Sequence, residues 1–166
     1  MSDLPLQILA FAWGAVWGSF LNVVIYRLPE ELSVVKPGSH CPACKTPIRW
    51  YDNIPIVSYF VLRGRCRKCG TGFSPRYALV EATCGVLALA LFRATVLPLD
   101  PETFVAGMLM WGWLQIFVYA LIAITFIDLE HLYIPDVISL PLIAFGVGGA
   151  FALSTPAPLD HLFGAI

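Results

Sequence analysis

The sequence predicts an all-α polytopic membrane protein: about four complete transmembrane helices, the start of a fifth, and a small zinc-ribbon-like loop module on the cytoplasmic side. Three observations carry that expectation. Hydrophobic residues make up 58% of the 166 and charged residues only 13%, with a mean hydropathy of +0.78, whereas soluble domains carry roughly 25% charge. Apolar runs long enough to cross a hydrocarbon core, about 20 residues at 1.5 Å each, fall at about 4–26, 77–97, 103–127 and 134–153, and Leu159–Ile166 reads as the opening of another. Eight of the ten Lys and Arg residues lie between Lys36 and Arg76, in a polar stretch that also holds four of the five cysteines.

Residues 1–27 form the first predicted helix. They lack a basic n-region, carry Arg27 after the apolar run and offer no small-residue cleavage pattern there, so the segment reads as a retained anchor and not a signal peptide. With Arg27 closing one span and Arg76 opening the next, the positive-inside rule places the loop between them in the cytoplasm and the N-terminus outside. The link Leu97–Glu102 is then external and Asp128–Ile134 internal.

Residues 28–76 form the second unit. The whole chain has a formal charge of −1, but eight basic residues against Glu30, Glu31 and Asp52 give the loop 28–77 a formal +5. Anionic lipid headgroups are the natural partner of such a surface. A basic platform interleaved with aromatic residues is missing, which argues against nucleic acid.

The loop cysteines read Cys41-Pro-Ala-Cys44 and Cys66-Arg-Lys-Cys69, two C-x-x-C pairs with 21 residues between them. That spacing suits a zinc ribbon, in which each tight turn aims two thiolates at one point and two turns complete a tetrahedral site. Gly70 follows the second pair where a positive φ is useful. In a reducing compartment structural disulfides are rare and thiolates remain available to metal. Four protein ligands leave no open position, so the zinc is expected to be structural, with His40 surplus. A loop this proline-rich buries too little to fold well alone, and metal binding would supply its folding energy. A redox dithiol is the competing reading of the same pairs.

The unit 77–166 holds the remaining spans. The third meets Asp128-Leu-Glu-His-Leu-Tyr-Ile-Pro-Asp136 before the fourth begins. An acid at that depth needs a reason, although polar residues also commonly cap spans. Asp136 follows Pro135 and suits the first turn of a new helix, where the dipole favours an anion.

At this point the chain resembles the type IV prepilin leader peptidases, bacterial inner-membrane aspartic proteases that also N-methylate their products. Gly18-Ser-Phe-Leu-Asn-Val-Val-Ile-Tyr-Arg-Leu-Pro29 is similar to the family's opening motif, the paired C-x-x-C loop to its cytoplasmic zinc module, and Ser74-Pro-Arg-Tyr-Ala-Leu-Val-Glu81 to the segment that re-enters the membrane. Asp128, with six residues before Pro135-Asp136, resembles the first catalytic aspartate motif. The resemblance implies cleavage of a prepilin or pseudopilin leader at the cytoplasmic face, then methyl transfer from S-adenosylmethionine to the new N-terminus. Two carboxylates would activate water and polarise the scissile carbonyl as a coupled pair. The second aspartate, expected in a Gly-x-Gly-Asp motif, does not occur in 1–166, and Asp160 is expected on the external side. The expectation is therefore an N-terminal part of a longer enzyme, inactive in cleavage by itself.

The resemblance also makes Glu81, Gly18 and Asn22 candidates for the methyl-donor site. Their own context leaves a plainer reading open. Glu81 lies about one turn inside the second span, where it is either an interfacial acid, neutralised by Arg76 or Arg27, or a site-facing one. Gly14, Gly18 and Asn22 share one face of the first span, as close helix packing requires. Cys84 reads as a small apolar filler, Arg93 as a snorkelling residue, and Trp13, Trp17, Trp111 and Trp113 as span-end aromatics. Two other function classes fit parts of the chain: a non-catalytic zinc-ribbon membrane adaptor, and a membrane thiol oxidoreductase using the C-x-x-C pairs.

Overall fold

Proline and arginine punctuate the spans. In the computed structural model, which describes residues 3–97 and 102–153, α1 runs Leu4–Arg27 with proline in its first turn. Leu28 still has helical angles, φ −64° and ψ −44°, and its N–H bonds the Val24 carbonyl, but Pro29 has no N–H to carry the ladder further. Helix α2 is the short Val57–Val61, preceded by a 3-10 turn at Trp50–Asp52. Helix α3 is Arg76–Thr95 and starts on Pro75, which has no N–H to leave unpaired. Helix α4 is Phe104–His131 and α5 is Asp136–Leu153.

Helices α1, α3 and α4 have 24, 20 and 28 residues and are apolar enough to cross a membrane, about 36, 30 and 42 Å at 1.5 Å per residue. The fourth predicted span is α5, two residues shorter at its start than expected. Helix α4 runs past the predicted end at 127 to His131, where Leu132 turns left-handed at φ 55° and its N–H bonds the Asp128 carbonyl at 2.8 Å. Pro135 then excludes helix from Ile134, so α5 begins only at Asp136. The fold class is the expected one, with three full spans and a shorter apolar helix among the described residues. The expected fifth span and Asp160 lie outside the described residues, as do positions 98–101 of the Leu97–Glu102 link.

Helix α1 packs chiefly along α3. A methyl group on Gly14 would run into the Cys84 carbonyl and come within 2.5 Å of the Ala88 Cβ, and one on Gly18 would lie 2.7 Å from the Glu81 Cα. Small residues thus let the two backbones approach. Helix α4 closes the bundle over two apolar clusters, one around Ile25, Val80, Cys84 and Ile127, the other around Ala10, Ala88, Phe92 and Trp111. Gln115 fixes the register of α4 on α1: its Oε1 accepts from Trp13 Nε1 at 3.0 Å and from the Tyr119 hydroxyl at 2.5 Å. Helix α5 leans on α4 through stacked Trp113 and Phe145, ring centroids 3.6 Å apart.

Asn22 near the end of α1 donates to the Tyr77 carbonyl at the start of α3 at 3.0 Å, and Arg76 pairs with Glu130 near the end of α4. The loop module, the end of α1, the start of α3, the end of α4 and the start of α5 therefore share one end of the bundle.

Candidate functional site

Each C-x-x-C pair sits in a tight turn of the same design. Cys41 N–H bonds the Thr46 carbonyl at 2.9 Å and Lys45 N–H returns to the Cys41 carbonyl at 2.9 Å; Cys66 N–H bonds Thr71 at 2.8 Å and Gly70 N–H returns to Cys66 at 2.9 Å. Single bridges, His40 to Pro47 and Arg65 to Gly72, close the two turns. Gly70 has the expected positive φ, 74°, and Lys45 takes the equivalent place at φ 56°. No longer strand forms among the described residues, so the ribbon is reduced to its two knuckles.

The four thiols converge. All sulfur atoms lie within 4.8 Å of one another, with Cys41 to Cys69 at 3.7 Å and Cys44 to Cys66 at 3.9 Å. A tetrahedron of sulfurs about 2.3 Å from a central ion has an edge of roughly 3.8 Å, close to these two separations, so the donor set could hold a metal ion. All five cysteines are free. Two threonines that the sequence reading passed over support the thiolates. Cys44 Sγ and Thr46 Oγ1 are paired at 3.3 Å, as are Cys69 Sγ and Thr71 Oγ1: the neutral thiol donates to the hydroxyl oxygen, and once the sulfur is ionised the hydroxyl can donate to it. The Thr46 hydroxyl and backbone pull the Cys44 thiol down to about 6, and Thr71 lowers Cys69 in the same way. The signal was present in the sequence, as a threonine two residues after the second cysteine of each pair.

Asp52 and Arg67 brace the module. Arg67 Nε lies 3.0 Å from each Asp52 oxygen and its Nη2 is 2.6 Å from Oδ1. The fork ties the 3-10 turn to the second knuckle, and its hydrogen bonds hold the Asp52 carboxyl below its ordinary range.

Gly18, Asn22 and Glu81 come together at the α1/α3 seam. Glu81 is buried, with the Ser19 hydroxyl beside it. Its partner corrects the expected arginine: Arg76 pairs with Glu130, Arg27 donates to the carbonyls of Ser33 and Gly38, and Glu81 Oε2 accepts the Ile56 N–H at 2.6 Å. Asn22 is 1% exposed, and its Oδ1 has no partner among the described residues. Nothing in the sequence singled out Ile56, since a backbone donor leaves no side-chain signature. Its φ of 64° is a strained value for a β-branched residue. The strain is held by Ser58, whose hydroxyl accepts the Ile54 N–H at 3.0 Å and donates to the Tyr51 carbonyl at 3.1 Å.

Asp128 lies in the last turn of α4, exposed at the same end of the bundle. Glu130, two residues on, is the acid that pairs with Arg76.

A family model described as the bacterial peptidase A24 N-terminal domain matches residues 12–95, from the first third of α1 through the cysteine module to the end of α3. The chain belongs to the bacterial peptidase A24 family. Its relatives include a prepilin leader peptidase/N-methyltransferase of Myxococcus xanthus (strain DK1622), 39% identical over 93% of this chain and 43% of the relative. A protein of the same name from Neisseria gonorrhoeae is 38% identical over 89% of the chain and 58% of its own length. A type 4 prepilin-like proteins leader peptide-processing enzyme of Escherichia coli O78:H11 is 36% identical over 93% and 61%. This A24 chain thus spans about half the length of those relatives. No solved structure matches it. One end of its helical bundle unites a four-cysteine cluster and a buried glutamate from the matched N-terminal domain with an exposed aspartate, Asp128, from beyond it.

Proposed function

We propose that the protein serves in a prepilin leader peptidase/N-methyltransferase of the bacterial inner membrane, with the N-terminus periplasmic and the cysteine module cytoplasmic. The carrying observation is the shared end of the bundle, where the metal centre, Glu81 and Asp128 all face the side on which a basic loop belongs. Its substrates are prepilin or pseudopilin leader peptides, and its surface partners are anionic lipids.

The metal is zinc and its role structural. Cys41, Cys44, Cys66 and Cys69 occupy all four positions of a tetrahedral site, which leaves no place for a reactive water. In peptide cleavage Asp128 is one of two carboxylates. One member of such a pair takes a proton from water while the other, protonated, polarises the carbonyl. The second aspartate is the one the resemblance places in a Gly-x-Gly-Asp motif, so the 166 residues alone are expected not to cleave.

S-adenosylmethionine, when bound, supplies an electrophilic methyl group on a sulfonium. Glu81 and Asn22 fit a ligand of that kind: a buried carboxylate favours a cationic group, and the partnerless Asn22 Oδ1 offers an acceptor. Gly18 lets α1 pack close against α3 at Glu81. Glu81, Asn22 and Gly18 would place such a donor beside the new N-terminal amine, and the Glu81 carboxylate would be the group at the seam available to take the amine's proton.

The test is a double assay of the full gene product in detergent with a prepilin and labelled S-adenosylmethionine. Asp128→Asn should lose cleavage, and Cys41→Ser should lose the module's fold or methylation. Cleavage that survives Asp128→Asn ends the peptidase role of that residue.

A further inference from the structure

We infer that residues 50–61 form an interfacial anchor, with the exposed face of α2 seated in the lipid headgroup and acyl boundary beside the start of α3. Two observations carry this independently of the peptidase reading. The first is depth. Arg76 marks the rim of the membrane-spanning α3, and the Glu81 Cα lies five residues further along it, about 7 Å at 1.5 Å per residue. Since helical side chains tilt back towards the N-terminus, the Glu81 carboxylate, and with it the Ile56 N–H 2.6 Å away, sits between those levels. Helix α2 starts at the very next residue. It is therefore held at the depth where amphipathic helices lie, with the apolar face buried some 5–10 Å into the boundary.

The second observation is the face itself. Val57, Phe60 and Val61 stand at i, i+3 and i+4, one side of the helix, and are 54%, 70% and 69% exposed, while Ser58 on the other side is buried. Trp50, at 80%, extends the apolar surface. Facing water, four such residues would form an apolar patch of the kind that marks an interaction site. Exposed Arg49 and Arg63 bracket the segment, placed to snorkel to lipid phosphates, and a tryptophan is the residue favoured at the headgroup level. The bond from Glu81 to Ile56 and the strained Ile56 backbone then have a common use: they turn the chain so that α2 lies flat against the bilayer instead of standing away from it.

Tryptophan quenching in vesicles of phosphatidylethanolamine and phosphatidylglycerol tests this on the full protein. The emission lost between wild type and Trp50→Phe belongs to Trp50, and Phe60→Trp added to Trp50→Phe reports the α2 face. Both signals should fall when the lipids are brominated on the acyl chain near the headgroup, and neither should fall with aqueous iodide. Quenching by iodide would put the face in water, and quenching by neither agent would put it under protein; either result overturns the anchor. Aromatic replacements at exposed positions keep the fold, and equal metal content in the variants checks that the module is intact.

Discussion

The Glu81 carboxylate holds the Ile56 N–H at 2.6 Å, so one side chain of a membrane-spanning helix fixes the backbone of the cysteine module. A charge-assisted hydrogen bond of this kind contributes about 1.5–3 kcal/mol, comparable with the roughly 1–3 kcal/mol of backbone strain at a residue like Ile56. Glu81→Gln keeps an acceptor oxygen but removes the charge. It should leave α3 in place, lower methyl transfer by about 100-fold or more, the lower range for a positioned acid or base, and spare most of the cleavage. Equal loss of both activities in the double assay would assign Glu81 to the fold alone.

Convergence of the four sulfurs within 4.8 Å predicts one tightly held metal ion per chain. Cys44→Ser or Cys66→Ser should lower the metal content below one per chain, and a strong chelator should make the stretch 28–75 sensitive to protease while the spans stay protected, because metal binding and folding of such a module are one equilibrium. A chelated protein with an unchanged protease pattern would mean that the loop folds without metal.

The Asp52–Arg67 fork makes a smaller, pH-dependent contribution. The Asp52 carboxyl is held below its unfolded value of about 3.9. Its stabilisation is therefore complete above that value and is lost as pH falls through the lower folded-state pKa. At neutral pH Asp52→Asn should weaken the module by less than about 1 kcal/mol, because the arginine of the pair is solvent-exposed. The gap between variant and wild type should close below about pH 4. Denaturant titration of the metal-loaded module measures both, and a gap that widens in acid would contradict the assignment.

The seam between α1 and α3 has no room for another carbon. Gly14→Ala must push the helices apart, since the obstacle is the Cys84 backbone and not the end of a flexible side chain. Overpacking of this kind costs about 1–3 kcal/mol, which a thermal unfolding scan in detergent resolves. Gly18→Ala sits closer to the site, 2.7 Å from the Glu81 Cα, and should depress methyl transfer more than its effect on stability explains.

Much of this was legible from the residues. Apolar length gave α1, α3 and α4, proline and arginine the end of α1 and the start of α3, the C-x-x-C spacing the convergence of four sulfurs, and the Gly14, Gly18 and Asn22 spacing the packed seam. Two features were not legible, for one physical reason. Helix α2 is only five residues long, too short for periodicity to stand out, and it is ordered by tertiary bonds to Glu81 and through Ser58. The partner of Glu81 was sought among arginines because charge is visible in a sequence, whereas every residue but proline carries an N–H. The later end of α4 has a local origin in Leu132, a residue type that does not advertise a left-handed cap.

Asp128 offers the sharpest contrast between roles that share one end of the bundle. It is exposed in the final turn of α4, while its near neighbour Glu130 is engaged by Arg76. A carboxylate that merely caps a span should tolerate the isosteric amide, whereas a catalytic one should not. In the full gene product Asp128→Asn is therefore expected to reduce prepilin cleavage at least about 100-fold, the lower range for a positioned acid or base. Methylation of a substrate supplied already cleaved should remain, because the proposal draws that chemistry from Glu81 at the α1/α3 seam. Glu130→Gln, which breaks only the ion pair to Arg76, should cost far less, and a loss equal to that of Asp128→Asn would shift the role from the carboxylate to the geometry of the whole α4 terminus.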